Sequence, residues 1–157
     1  MGVRRKSREF ALQILYQIDL SRENVRDALE LFWGNFQVSE GAREFSDKLV
    51  LGVCRYKEKI DRAIEEYSAN WSLKRMSKVD RNVLRLAIFE LFYCHDIPPK
   101  VTLNEAVDLG KKFGSEKSGS FINGILDSIS VSINKDGSKT RKTDSSGNIL
   151  QTDRPVE

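Results

Sequence analysis

Four cations fall within five residues near the start of the chain: Arg4, Arg5, Lys6 and Arg8. They open the segment RRKSREFALQILYQIDL, in which Ala11, Ile14, Leu15 and Ile18 recur at helical spacing with Gln13 and Gln17 opposite. Positive charge at a helix start opposes the helix dipole, which favours carboxylates there, at a cost of a few tenths of a kcal/mol per residue. An anionic partner would account for the arrangement; a solvated basic arm is the alternative. Arg5, Arg8, Leu12 and Tyr16 follow three-four spacing, which sets a tyrosine on the flank of the cationic stripe. Single-stranded nucleic acid suits such a surface, with phosphates on the cations and a base on the ring. Tyr16 equally fits the edge of a core.

A second polar constellation lies in GSEKSGSFINGIL, residues 114–126. Ile122, Ile125, Leu126 and Ile129 mark one helical face. Lys117, Phe121, Gly124 and Ser128 share another stripe, with Gly119, Ser120, Asn123 and Asp127 beside it, away from the isoleucines. An Asn-Gly pair inside a helix forgoes about 1 kcal/mol of propensity at the glycine alone. Gly124 would let a base or a backbone approach closely, and Asn123 carries both donors and an acceptor able to read a base edge. Gly124 would also let a neighbouring helix pack closely, and the spacing leaves both readings open.

Catalytic patterns find little support. His95 is the only histidine and falls at the end of an apolar helical pattern, where it complements the dipole. Cys94 adjoins it, but helical neighbours point about 100° apart, so a Cys–His nucleophile pair is disfavoured. No Cys-x-x-Cys and no second histidine offer metal-ligand spacing. Gly114 and Gly119 suggest a phosphate loop, yet Ser120-Phe121 follows where Lys-Ser/Thr is required, and a helix precedes where that motif needs a strand. The carboxylates lie among Lys and Arg on helix surfaces, as solvated ion pairs do. Neither a catalytic residue, a metal nor a cofactor is expected.

The elements that would position these residues are helical throughout. VRDALELFWGNF reads as a helix capped by Asn24. EGAREFSDKLVLGVCRY and KEKIDRAIEEYS carry apolar stripes out of phase, which predicts a bend or break near residues 56–58. SLKRM reads as a connector with one turn. SKVDRNVLRLAIFELFYCH is apolar around most of its circumference, as a central helix is, and Asp96-Ile97-Pro98-Pro99 ends it. Thr102-x-x-Glu105 reads as a capping box, with Val101 and Ala106 as a staple, for a helix running to Phe113 with Gly114 at C′. The last helix begins after Ser115 and is expected to end near Ile133. From Asn134 to Glu157 the chain is polar and reads as a disordered tail. The expected domains are therefore 1–133 and this tail.

The 157 residues suit one compact domain or two small subdomains, and the net charge of +3 is too modest to identify a partner without the distribution of charge. No apolar run is long enough to span a bilayer, and the basic start enters an amphipathic pattern without a signal-peptide core. Cys54 and Cys94 fit reduced core residues of a cytoplasmic protein.

Three blocks together resemble the NusB family of bacterial transcription antitermination factors over about residues 3–133. They are RRKSREFALQILYQIDL, WSLKRMSKVDRNVLRLAIFELFYCHDIPPKVTLNEAVDLGKKFG and FINGILD. Within the second, Asp80-Arg81-Asn82-x-Leu84-Arg85, Glu90, Asp96-Ile97-Pro98 and Asn104-Glu105-Ala106 keep the family's order and spacing. The resemblance implies an all-α fold of about seven helices in two perpendicular three-helix subdomains. It implies a non-enzymatic protein that binds single-stranded boxA RNA of ribosomal RNA leader transcripts. The partners it implies are the ribosomal protein NusE and the RNA polymerase antitermination complex, with no membrane; some members form homodimers. By resemblance the RNA surface takes in Arg4, Arg5, Lys6 and Arg8, with Phe121, Asn123 and Gly124 of the last helix on the same side, and Asp80 faces NusE. Tyr16 and Lys117 join that surface on the residue reading, Lys117 standing where some members have an acid. A protein-only adaptor is the competing reading. A complete RNA methyltransferase with a NusB-like domain is excluded by the lack of a Rossmann unit in the sequence.

Overall fold

A computed structural model describes residues 2–69 and 71–140, and side chains as far as Asn134. Among the described residues there are seven α-helices, one 3₁₀ turn and no strand. The helices are α1 (Val3–Ser21), α2 (Val25–Asn35), α3 (Glu40–Arg55), α4 (Lys57–Tyr67), α5 (Lys78–Tyr93), α6 (Pro99–Phe113) and α7 (Ser118–Thr140), with the turn at Leu73–Arg75. Their starts are chemically marked. Asn24 accepts from the amides of Arg26 and Asp27, Ser39 from that of Ala42, and Ser77 from that of Asp80. The expected break falls at Tyr56, the single residue between α3 and α4, whose ring stacks on Tyr93 at 4.2 Å.

α5 is the axle. It packs against α1, α3, α4, α6 and α7, and every residue from Asn82 to Glu90 is buried. α1, α2 and α3 pack on one another on one side of it; α4 and α6 both meet α7 on the other. Close approach of α3 and α5 depends on Gly52, where a Cβ would stand 2.2 Å from ring carbons of Phe89.

A surrounded helix must satisfy its own polar side chains internally. Arg85 donates to both carboxylate oxygens of Asp61, at 2.8 and 3.1 Å, and to Asp19 at 3.3 Å. Asp19 also accepts from Arg81 at 2.6 Å and Asn82 at 3.1 Å. Burial works to raise the Asp19 pKa, but the bonds from Arg81 and Asn82 and the Arg85 charge outweigh it and hold the carboxyl below its ordinary value. At the other end of α5, Glu90 accepts two bonds from Arg8 at 2.8 Å and one from the Thr102 hydroxyl at 3.0 Å. Three helices are thereby joined at one buried carboxylate. Burial opposes the Arg8 charge, yet the Glu90 bonds and the nearby Glu90 and Glu105 charges raise its pKa above the ordinary arginine value.

This junction corrects the expected capping box. α6 starts at Pro99, with Pro98 at the N-cap, so Thr102 lies inside the helix and gives its hydroxyl to Glu90. Glu105 turns to Arg5 instead, and Val101 is exposed. A proline-initiated helix has one fewer orphan amide to cap. Gly114 does follow α6, but with extended backbone; a Cβ there would stand 2.3 Å from the Ser118 hydroxyl. α7 continues to Thr140, past the expected end at Ile133, and each further residue of a formed helix adds one backbone bond. The rest of the expected tail, 141–157, lies outside the described residues.

Two outcomes follow for stability. Arg8→Ala leaves a buried, unpaired Glu90 carboxylate and is expected to cost about 3–5 kcal/mol in urea unfolding, whereas Arg4→Ala, losing an exposed pair with Asp96 and an exposed stacking contact on Phe45, is expected to cost no more than about 1 kcal/mol. The depressed Asp19 pKa contributes stability that is present above the unfolded carboxyl value and lost as pH falls through the folded one. Asp19→Asn is expected to lower stability at neutral pH and to flatten the loss as pH falls below the ordinary carboxyl range, measured by urea midpoints against pH.

Candidate nucleic-acid interface

The four cations at the start of α1 do not stand free. Arg4 is exposed but donates to Asp96 at 3.2 Å, and its guanidinium lies 4.6 Å from the Phe45 ring centre. The Arg4 bond is the main reason that the Asp96 carboxyl sits below its ordinary pKa. Arg5 reaches Glu105 at 3.0 Å and Asp108 at 3.3 Å, both on α6. Arg8 is only 4% exposed and is spent on Glu90, so it lies inside the fold and not on the expected surface. Lys6 is exposed and has no carboxylate partner among the described residues; its ammonium is 5.5 Å from the Phe10 ring centre. A cleft of about 370 Å³ opens beside Arg4 and Arg5, with Asp96 and Glu105 in its lining. Both signs of charge line it, so a phosphate entering there would compete with built-in carboxylates.

Leu12 is buried as well, which interrupts the stripe drawn from Arg5 to Tyr16. Tyr16 itself is 39% exposed, open enough to meet a ligand at its ring.

On α7 the two readings of Gly124 separate. A Cβ there would meet nothing within 4 Å, so no helix packs against it and the position is open surface. Gly119 is the glycine that serves packing, buried under the Lys111 side chain, which would lie 3.1 Å from a Cβ. Lys117, Ser120, Asn123, Gly124 and Asp127 are all exposed, and Phe121 is half-buried. At 100° per residue, Phe121 and Asn123 stand about 160° apart across this outward face, with Ser120 and Gly124 between them. The face is broad, polar and low, with an aromatic on one edge and an amide on the other.

α6 bridges the two regions. Asp108 pairs with Arg5 of α1 and Lys112 with Glu9 of α1 at 2.9 Å, while Lys111 lies over Gly119 of α7. The last turn of α6 therefore brings Lys111, Lys112 and the 37% exposed Phe113 between the α1 cations and the α7 face. Sequence reading passed over these residues. Their signal was the Lys-Lys-Phe run at a helix end, where cations are favoured by the dipole. Trp71 was also missed: 52% exposed, it meets Phe121 edge to face at 6.1 Å, and its signal was a tryptophan set in a short polar connector.

Asp80 lies in the first turn of α5, half-buried, with one carboxylate oxygen sealed from solvent and without a hydrogen-bond partner among the described residues. Cys94 is buried, and burial pushes its thiol up to about 11, so it is protonated at neutral pH; His95 is exposed in the turn after α5. Among the described residues no group of three or more His, Cys, Asp or Glu could hold a metal, and no helix is long and apolar enough to cross a membrane.

Comparison with known proteins agrees with this architecture. The model of the NusB family matches residues 5–131. The transcription antitermination protein NusB of Syntrophus aciditrophicus is 52% identical over 86% of this chain and 84% of its own length. That of Myxococcus xanthus is 50% identical over 86% of this chain and 99% of its own. Among solved structures, NusB of T. maritima superimposes with a TM-score of 0.76 at 39% identity, covering 82% of this chain and 90% of that one. The NusB chain of a crystal structure of antitermination factors NusB and NusE in complex with dsRNA gives 0.75 at 34% identity, covering 84% and 98%. With the seven-helix fold built around a buried α5 and a family match across nearly all of its packed residues, this chain belongs to the NusB family.

Proposed function

We propose that this chain is a non-catalytic, cytoplasmic transcription antitermination factor. In this reading it binds single-stranded boxA-type RNA of ribosomal RNA leader transcripts together with the ribosomal protein NusE, and joins the antitermination complex on RNA polymerase. Relatives about half identical carry the antitermination name, and a structural neighbour was crystallised with NusE and RNA. The single observation on this chain that carries the reading is the open face of α7, where Gly124 meets nothing and no helix covers Asn123.

The roles divide by exposure. Lys6 and Lys117 meet phosphates directly; Arg4 and Arg5 do so by exchanging carboxylates for phosphate; Tyr16 and Phe121 offer rings to bases. Asn123 reads a base edge across the gap left by Gly124. Arg8 is a positioning residue, fixing the start of α1 through Glu90. Asp80 serves NusE as a half-buried carboxylate in the first turn of α5.

Gel-shift and anisotropy titrations with a boxA-type oligonucleotide, with and without NusE, test this directly. Asn123→Ala should weaken binding by about fivefold or more, the scale of one lost base-edge contact. Gly124→Ala should weaken binding while stabilising the fold by up to about 1 kcal/mol, because the new methyl enters open space on a helix. Unchanged affinity in both variants, folded as judged by thermal melts, would refute the α7 face. Arg4→Ala with Arg5→Ala should reduce the slope of log affinity against log salt by about 1.4, two phosphate contacts on single-stranded RNA. An unaltered slope would remove the α1 arm from the interface.

A further inference from the structure

The chain has two tryptophans, and the fold treats them oppositely. Trp33 is buried, its indole donating to Asp47 at 2.7 Å. Trp71 is 52% exposed, in the connector between α4 and α5. Its backbone is fixed there. The Trp71 amide donates to the Ser68 carbonyl at 3.1 Å, and the Ser68 hydroxyl donates back to the Trp71 carbonyl at 2.7 Å. Ser68 is itself buried, and Ala69 takes a left-handed φ of 48° to close the loop. The Tyr67 hydroxyl bonds Ser132, which anchors this end of α4 to α7. The backbone that carries the indole is thus held, and the ring meets the Phe121 edge of α7.

The 3₁₀ turn that follows carries Lys74 and Arg75, both exposed and neither with a carboxylate partner among the described residues. They follow Trp71 by three and four residues, across the extended Ser72. They differ in this from Arg4, Arg5 and Arg8, whose charges are already matched. An exposed, seated aromatic beside unmatched cations, continuous with a polar open face, has the chemistry of a single-strand binding strip.

We propose that the connector from Trp71 to Arg75 extends the RNA surface beyond the Phe121 edge of α7, with Trp71 stacking an unpaired base and Lys74 and Arg75 contacting the phosphates on either side of it. This rests on the RNA reading above and adds a second wall to it. Single-stranded RNA is the occupant that the unmatched positive charge favours over an apolar protein segment. A duplex keeps its bases stacked inside and offers Trp71 no ring face.

The full chain, alone and with NusE, is titrated with a 5′-fluorescein boxA-type single-stranded RNA, and binding is read by anisotropy. Indole emission is followed in parallel with the unlabelled oligonucleotide, after subtraction of emission from NusE. The RNA should quench Trp71 and leave the buried Trp33 contribution, a change absent from Trp71→Phe. Trp71→Ala should weaken binding roughly five- to hundredfold with little change in melting temperature, and Trp71→Tyr should recover most of it. Lys74→Ala with Arg75→Ala should lower the salt slope by about 1.4. Equal RNA affinity for wild type and Trp71→Ala, with indole emission unmoved, overturns the proposal and leaves the RNA reading intact. Quenching by NusE without RNA makes the strip a protein contact and overturns it too. If labelled RNA binds no form even with NusE, the RNA reading fails and this proposal with it.

Discussion

The contact on which the rest depends is the buried bond between Arg8 and Glu90. A helix as enclosed as α5 has no water to satisfy a carboxylate, and an isolated one would cost several kcal/mol. Two charge-assisted bonds from Arg8 and one from Thr102 satisfy it. Because those donors come from α1 and α6, satisfying Glu90 also fixes where both helices lie. α6 in turn sets Lys111 over Gly119 and Lys112 against Glu9, so the relation of α1 to the outward face of α7 is inherited from one carboxylate.

That constraint changes the meaning of the basic segment. Four cations in five residues suggest a free electropositive arm, but three of them meet Asp96, Glu90, Glu105 or Asp108. Those acids are distant in sequence, and a net charge of +3 is silent about such pairing. Lys6 alone of the four has no carboxylate partner among the described residues, and Lys74, Arg75 and Lys117 are among the exposed cations outside the segment that share this. Exposed ion pairs such as Arg4 with Asp96 contribute little to stability, so phosphate can replace the carboxylate at small cost. The arm is thus better described as exchangeable than as free.

What the sequence made legible was local. The apolar stripes, the Asn24 cap and the phase change at Tyr56 depend on neighbours within a turn or two, and the helices follow them. The Thr102–Glu105 box failed for the opposite reason. Its spacing was right, but Glu90 and Arg5, a dozen and a hundred residues away, had stronger claims on the two side chains. Trp71 stayed hidden because its pairing with Phe121 joins segments 50 residues apart, and nothing local marks a connector tryptophan as seated. The openness of Gly124 was equally out of reach, since glycine at a helix contact and glycine on a bare face have the same sequence signature.

Gly124 and Trp71 show the same trade from two directions. An alanine at 124 would fit and favour the helix, and a smaller polar residue at 71 would spare water the exposed indole. Each departs from the locally stable choice, and each borders Phe121 or the face beside it. Departures that the folded chain compensates only in part are understandable where a ligand supplies the missing contact. A flat glycine admits a backbone or base edge, and a seated indole gives an unstacked base the face it lost. Under the proposed function, the two together serve an extended, partly unstacked polyanion.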